Sequence, residues 1–126
     1  MIAGIGVDVC DVARWTAAVT RQPKLAGRVL TPAEAALRPE SQAARWAAKE
    51  ALYKALGGVD GWSWQDAEVV VDERGKPGFA VSGAVAARAE ALGVTAIHLS
   101  LTHDAGVAVA FVVCEGNVDT AERNAG

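Results

Sequence analysis

The stretch that decides the fold spans residues 41–58 and reads SQAARWAAKEALYKALGG. Alanine, leucine and long charged side chains dominate it, and these residues have high helix propensity. Ser41 is a candidate N-cap, and Gly57-Gly58 is a typical helix terminator. The pattern therefore predicts a helix from about Gln42 to Leu56, the longest in the chain.

The residues before this helix predict a strand and two short helices. Ile2 to Val9 is apolar and suits a strand, in which Gly4 and Gly6 would let another backbone or a ligand approach closely. Asp11 can cap a first helix. Thr31-Pro32-Ala33-Glu34 is a capping box with proline at the first helical position, so a second helix is predicted there.

The second half of the chain predicts mainly strands. Apolar and polar residues alternate at 97–102, where Ile97, Leu99 and Leu101 would share one face. After a turn at Thr102–Gly106, a second alternating strand follows at 107–113, with Val107, Val109, Phe111 and Val113 at every second position. Two further strands at 67–72 and 79–81 flank a turn, and an alanine-rich helix follows from Ser82 to about Gly93. Together with the first half, this predicts an α+β domain with a mainly antiparallel sheet.

The composition is that of one folded domain. Of the 126 residues, 52% are hydrophobic and 21% are charged, with a formal net charge of 12 − 15 = −3. These values exclude an intrinsically disordered chain, and no apolar run is long enough for a membrane helix. We expect residues 1–116 to form a single domain and the mostly polar residues 117–126 to fray.

The two cysteines, Cys10 and Cys114, cannot build a disulfide framework, and neither belongs to a zinc-type pair. The first residues also lack the basic head of a signal peptide. We therefore expect two buried, reduced thiols in a cytoplasmic protein.

Positive charge is concentrated early in the chain. Between Asp11 and Glu34 there is no acidic residue, and the basic residues of this interval are Arg14, Arg21, Lys24 and Arg28. Such a patch suits an acidic partner, although a solvated helix face and loop would show the same pattern. Nucleic acid is an improbable partner because the chain as a whole is acidic and only Trp15 interleaves the patch.

The long helix carries two charged pairs at i,i+4 spacing. Glu50 and Lys54 share one stripe, and Arg45 and Lys49 share the adjacent one. One interpretation is a metal-binding carboxylate surrounded by cations for phosphates. The alternative is a set of ordinary surface charges on an alanine-rich helix.

Asp8 is an unusual residue in an apolar, glycine-containing strand. A buried carboxylate there would need a cation or a metal, whereas at a strand end it could simply be exposed. Asp8 with Glu50 would make a sparse oxygen site of the kind that Mg²⁺ occupies together with water and substrate phosphates. His103, near a predicted turn, is either a site residue or a surface or capping residue. His98, inside an alternating strand, we interpret as structural.

Four segments stand out when they are taken in chain order. They are Gly4–Asp8 followed by Arg14, then Arg45–Gly57, Gly75–Pro77 and His98–Asp104. The run Trp-Ala-Ala-Lys-Glu-Ala-x-x-Lys-Ala in the second is the most specific. The set resembles the 4′-phosphopantetheinyl transferases, in particular those of the short bacterial holo-acyl-carrier-protein synthase type. The resemblance covers roughly residues 2–115 and implies the α+β fold of that family.

The resemblance also implies a reaction. In this family coenzyme A donates its phosphopantetheine arm to a serine of an acyl carrier protein, for fatty-acid biosynthesis, and adenosine 3′,5′-bisphosphate is released. The acceptor is either a free carrier protein or a carrier domain of a large fatty-acid synthase. The resemblance further implies a homotrimer with each active site between neighbouring subunits. From the charge and hydropathy of the chain we expect neither a nucleic acid nor a membrane as partner.

Site residues follow from the same resemblance. Asp8 and Glu50 match the family's Mg²⁺ ligands and, with Lys54 beside the pyrophosphate, form the implied catalytic set. The implied coenzyme A contacts are Arg45, Lys49, Lys54 and His103. Arg14 matches a basic position that meets the carrier protein, and Arg21, two helical turns further on, would extend that surface.

Two other classes of function use parts of this pattern. A coenzyme A-binding module without turnover would need the basic residues but not both carboxylates. A Mg²⁺-dependent phosphohydrolase would use the same ligands with water as nucleophile, but it would have no use for a basic first helix.

Overall fold

The structure, a computed structural model, describes residues 1–58 and 60–117. Within these ranges the chain forms five strands, five α-helices and one short 3₁₀ helix. In chain order the elements are β1 (Ile2–Asp11), α1 (Val12–Arg21), α2 (Lys24–Val29), α3 (Pro32–Ala35), α4 (Pro39–Leu56), the 3₁₀ helix Trp64–Asp66, β2 (Ala67–Val71), β3 (Pro77–Val81), α5 (Gly83–Ala91), β4 (Val94–Asp104) and β5 (Val107–Gly116).

All strand pairings are antiparallel, which confirms the predicted α+β class. One sheet has the order β1-β5-β4, and β2 and β3 form a separate two-stranded sheet. The long helix α4 packs across the three-stranded sheet, and the main core lies between them. Residues 118–126, most of the segment expected to fray, lie outside the described residues. Asn117 is described, and its backbone N–H donates to Gly93 O at 2.8 Å.

The long helix begins earlier than the sequence indicated. Pro39 occupies its first turn and Arg38 is the N-cap, so Ser41 lies inside the helix and does not cap it. A proline is favoured there because its missing N–H would have no partner in the helix and its φ is already helical. The predicted C-terminus is confirmed, since Gly57 adopts a left-handed φ of 75°.

The predicted caps of the two earlier helices are confirmed. Asp11 accepts a hydrogen bond from Arg14 N at 2.8 Å, and Thr31 and Glu34 form the reciprocal capping box. The helix α2 was not predicted, because its six residues have no side-chain cap and follow a proline.

The hairpin between β4 and β5 is tighter than predicted. The ladder continues to the pair Asp104 and Val107, which leaves only Ala105 and Gly106 in the turn. Both have positive φ, at 52° and 80°, as a two-residue hairpin turn requires. His103 consequently lies in the strand and not in the turn.

The face of the three-stranded sheet that points away from α4 is apolar and exposed. Its largest exposed side chains are Ile5, Val7, Val9 and Phe111, which are 55%, 51%, 59% and 45% exposed. Val7 and Phe111 are direct cross-strand partners, so the four side chains form one surface. We call this surface the outer sheet face.

The two thiols differ in burial. Cys114 is buried, as expected, but Cys10 is only half-buried. Among the described residues, no helix combines the length and apolar character that crossing a bilayer requires.

Candidate active site

Two glycines in β1 let the long helix approach this strand closely. A Cβ atom at Gly6 would lie 1.8 Å from the carbonyl oxygen of Ala51, and one at Gly4 would lie 2.0 Å from that of Ala55. No side chain fits at either distance, so the strand and the helix are in backbone contact. This contact brings Asp8, two residues after Gly6, beside the helix.

Asp8 and Lys54 form the closest charged contact at this crossing. Lys54 Nζ lies 2.8 Å from Asp8 Oδ1 and donates a further hydrogen bond to Val7 O at 3.1 Å. The Asp8 side chain is mostly shielded, at 13% exposed, whereas that of Lys54 is 54% exposed. The hydrogen bond and charge of Asp8 raise the pKa of Lys54, which keeps the ammonium protonated.

Glu50 lies one helical turn before Lys54 and completes the group. Burial raises the pKa of Glu50, the negative charge of Asp8 raises it further, and Lys54 opposes both. The two partly buried carboxylates therefore repel each other, and the ammonium of Lys54 compensates part of their charge. A site of this kind attracts a second cation.

A cavity of about 300 Å³ opens beside Glu50. It lies between β1, α1, α2 and α4, and its walls include Cys10, Arg14, Trp15 and Leu25. Burial and the nearby carboxylates of Glu50 and Asp8 raise the pKa of Cys10 to about 11. The thiol is thus protonated at neutral pH and is not an activated nucleophile.

The basic patch predicted from the sequence adjoins this cavity. Arg14 lines the cavity, and Arg21, Lys24 and Arg28 are exposed on α1 and α2. Trp15 turns inward, at 5% exposed, and donates a hydrogen bond to Gln42 Oε1 at 3.0 Å. This anchor fixes the basic helix against α4, the helix that carries Glu50.

Lys49 is not part of this group. Its side chain is completely buried and forms an ion pair with Glu34, with Nζ 2.9 Å from Oε1. Burial lowers the pKa of Lys49, and Glu34 opposes the shift. The structure therefore places Lys49 in the interior, where it cannot reach a ligand on the surface without leaving this pair. The interpretation of Lys49 as an ordinary surface charge is wrong for the same reason.

Arg45 and His103 lie apart from the cavity beside Glu50. Arg45, one turn before Lys49, lines a separate cavity of about 330 Å³ together with Glu68 and Val70. His103 is exposed near the end of β4, opposite Ala108. Of the site residues predicted from the sequence, the structure therefore gathers Asp8, Glu50, Lys54 and Arg14 at the crossing of β1 and α4 and the adjoining cavity.

Sequence reasoning missed an aromatic cluster on this side of α4, which consists of Trp46, Tyr53, Trp62 and Trp64. The ring centroids of Trp46 and Trp64 are 4.8 Å apart, and those of Tyr53 and Trp62 are 5.0 Å apart. The close spacing of Trp62 and Trp64 was the feature of the sequence that could have indicated this cluster. Trp46 and Tyr53 belong to α4, so the cluster packs the segment that carries Trp62 and Trp64 against this helix.

Comparison with known proteins places these features in a family. Residues 4–112 match the model of the 4′-phosphopantetheinyl transferase superfamily. The chain is 64% identical to the holo-[acyl-carrier-protein] synthase of Cutibacterium acnes, over 92% of this chain and 100% of that protein.

Solved structures agree with this match. The holo-[acyl-carrier-protein] synthase of Neisseria meningitidis has a TM-score of 0.82 and 33% identity, over 91% of this chain and 99% of that one. The Helicobacter pylori holo-[acyl-carrier-protein] synthase in complex with coenzyme A has a TM-score of 0.78 and 31% identity, over 88% of this chain and 99% of that one. With a family match across most of its length and relatives this similar, the chain belongs to the 4′-phosphopantetheinyl transferase superfamily.

Proposed function

We propose that this protein is an enzyme that transfers the 4′-phosphopantetheine arm of coenzyme A to a serine of an acyl carrier protein, and so converts the apo form to the holo form. The observation that carries the proposal is the convergence of Asp8, Glu50 and Lys54 beside a cavity flanked by basic residues. Phosphoryl transfer depends mainly on positioning and charge neutralisation, which such a group supplies. The product released is adenosine 3′,5′-bisphosphate.

The donor set fits a magnesium ion. Asp8 and Glu50 would hold it. Mg²⁺ commonly binds through one or two carboxylates and completes its shell with water and substrate phosphates. When bound, it supplies positive charge to the pyrophosphate. Burial and the charge of Asp8 both raise the pKa of Glu50, and a cation held between the two carboxylates would offset both effects.

Lys54 is suited to the leaving group. Its ammonium is held in the protonated form by Asp8 and is still half exposed, so it can contact a phosphate that arrives from solvent. Negative charge grows on the bridging oxygen as the bond to phosphorus breaks. A cation placed there, one turn after Glu50, stabilises that charge and can donate a proton to it.

The basic patch supplies the surface for the carrier protein. Arg14 and Arg21 point their charge into solvent on α1, and carrier proteins are usually acidic. Because Arg14 also lines the cavity beside Glu50, a carrier docked on α1 would present its serine close to the charged group. A free carrier protein and a carrier domain of a fatty-acid synthase both satisfy this geometry.

Arg45 and His103 remain proposed contacts of coenzyme A, in separate places. Arg45 Nε is buried and has no hydrogen-bond partner among the described residues, so an anion could pair with it. His103 is exposed on another element. A coenzyme A site to which neighbouring copies each contribute residues accommodates both.

The outer sheet face supports assembly of several copies. Its large side chains are about half exposed, which is a costly surface for a lone domain. A homotrimer that covers this face on every copy would bury them and would bring the elements of adjacent subunits together. Sedimentation analysis of the wild type and of Val7→Glu would test the arrangement, because the charge should dissociate the assembly.

Mass spectrometry of an apo acyl carrier protein, incubated with coenzyme A, Mg²⁺ and this protein, tests the reaction. A gain of about 340 Da, one phosphopantetheine arm, is expected on the carrier serine. Binding of coenzyme A without a mass gain would indicate a binding module. Hydrolysis of coenzyme A without transfer would indicate a phosphohydrolase.

A further inference from the structure

The buried pair of Lys49 and Glu34 satisfies every donor of its ammonium group. Besides Glu34 Oε1, Lys49 Nζ donates to Trp64 O and to Ala67 O, and all three distances are 2.9 Å. An ammonium has three hydrogens, so none is left for a ligand. The side chains of Lys49 and Glu34 are 0% and 2% exposed.

Glu34 is equally well held from its own side. Thr31 N donates to its Oε1 at 2.9 Å, and Val69 N donates to its Oε2 at 2.8 Å. The pair therefore ties α3, the 3₁₀ helix at Trp64 and the start of β2 to a single point of α4. We call this set of bonds the Lys49 clamp.

A contribution to stability is by itself a weak explanation for a buried ion pair. A buried ion pair loses the hydration of both charges, and apolar replacements of similar volume are often no less stable. The hydrogen bonds of an ion pair are directional, whereas apolar contacts are not. Here three acceptors define where the ammonium of Lys49 must lie. The clamp therefore fixes the rotation of α4 about its axis at Lys49.

The residue that this rotation affects most directly is Glu50, the next residue along the helix. A turn of an α-helix takes 3.6 residues, so neighbouring side chains point about 100° apart. With Lys49 directed at Glu34, Glu50 lines the cavity that the end of β1 borders, and its carboxylate is close enough to Asp8 for the two charges to interact. On that side the backbone of the helix is in contact with Gly6, at Ala51, the residue after Glu50.

We propose that Lys49 and Glu34 are positioning residues for the transfer reaction: their buried ion pair sets the orientation of α4 and thereby the placement of Glu50 against Asp8. This inference rests on the proposed function for its consequence in turnover, but its geometric part concerns the carboxylate pair alone. It also replaces the expectation that Lys49 contacts coenzyme A.

The test uses the double variant Lys49→Met with Glu34→Gln, which removes both charges together and leaves no buried charge unpaired. The control is Arg38→Met with Glu40→Gln, the same change in an exposed pair at the start of the same helix. Affinity for Mn²⁺, a paramagnetic substitute for Mg²⁺, is measured by electron paramagnetic resonance without substrate. Thermal unfolding, kcat and the Michaelis constant for coenzyme A are measured in parallel.

For a folded clamp variant we expect Mn²⁺ affinity to fall by roughly 10–100-fold, as for other groups that orient metal ligands, with kcat falling alongside. The Michaelis constant for coenzyme A should change little, and the control should match the wild type. Wild-type Mn²⁺ affinity in the clamp variant would overturn the inference. So would a raised Michaelis constant with unchanged metal affinity, since that indicates direct contact with coenzyme A.

Lys49→Arg serves if the double variant does not fold, because it keeps the buried charge while changing its reach. The same loss of Mn²⁺ affinity is expected, and its absence in the folded protein counts against the clamp. Failure of the proposed function looks different. A wild type that binds Mn²⁺ but does not transfer the arm, beside a clamp variant that has lost Mn²⁺, would refute the transferase and leave the positioning role standing.

Discussion

Lys54 Nζ lies 2.8 Å from Asp8 Oδ1, although the two residues are 46 positions apart in the chain. The contact joins a strand to a helix at the place where two glycines remove the side chains that would hold them apart. It also brings the ammonium of Lys54, which opposes the rise in the pKa of Glu50, beside both carboxylates.

Glu50→Gln should abolish transfer and leave the fold intact. The amide preserves the volume but removes the charge that holds Mg²⁺, so Mn²⁺ affinity should fall by more than about 100-fold. Stability should be unchanged or slightly higher, because the variant also removes the repulsion from Asp8. Asp8→Asn should have the same effect on the metal. Glu40→Gln on the same helix is the control, and wild-type turnover of Glu50→Gln at limiting Mg²⁺ would remove Glu50 from the metal site.

Lys54→Ala should lower turnover by more than it weakens coenzyme A binding. A cation that acts on charge developing in the transition state contributes to kcat, on the order of 10²–10³-fold. Calorimetric binding of coenzyme A and single-turnover rates separate the two effects. If the binding constant changed and the rate of the bound complex did not, Lys54 would be a phosphate anchor only.

Reversing both Arg14 and Arg21 to Glu should raise the Michaelis constant for the carrier protein roughly tenfold and flatten its dependence on salt. Charges at the rim of a docking surface act mainly on the rate of encounter, which is where salt screening is felt. The constant for coenzyme A should stay the same, and Arg38→Glu, in an exposed position outside α1 and α2, should change neither. Equal carrier-protein constants for the variant and the wild type would exclude a docking role.

Gly6→Ala should destabilise the protein by about 3 kcal/mol and reduce its metal affinity. The new Cβ would lie 1.8 Å from Ala51 O, so strand and helix must separate and Asp8 moves away from Glu50. Gly27→Ala is the matched control, because a Cβ at Gly27 meets nothing within 4 Å. Denaturant unfolding measures the first effect and Mn²⁺ titration the second. A variant as stable as the wild type would contradict the close contact.

The thiols of Cys10 and Cys114 should alkylate slowly at pH 8 while the protein is folded. The pKa of each thiol is raised to about 11, so the reactive thiolate is on the order of 10⁻³ of the total. Unfolding returns the pKa to its ordinary value and should speed the reaction by about two orders of magnitude. Iodoacetamide labelling with peptide mass spectrometry follows each cysteine, and rapid labelling of folded Cys10 would contradict the raised pKa.

The sequence by itself determined much of the local structure. Asp11 and the Thr31–Glu34 box cap the predicted helices, Gly57 ends the long one, and the alternation in β4 and β5 survives in the sheet, because each depends on neighbours along the chain. The i,i+4 spacing also paired Glu50 with Lys54 correctly, and Gly4 and Gly6 predicted a close approach in β1.

Only the tertiary structure decided what each charge does. Arg45, Lys49, Glu50 and Lys54 are alike as charged residues on one helix, yet Lys49 is buried against Glu34 whereas Lys54 reaches Asp8. Helical spacing states which side chains share a stripe, but not which stripe faces the core. That depends on the free energies of burial and of pairing with α3 and β1, which are distant in the chain. The burial of Lys49 therefore follows from tertiary packing and could not be predicted from helical spacing.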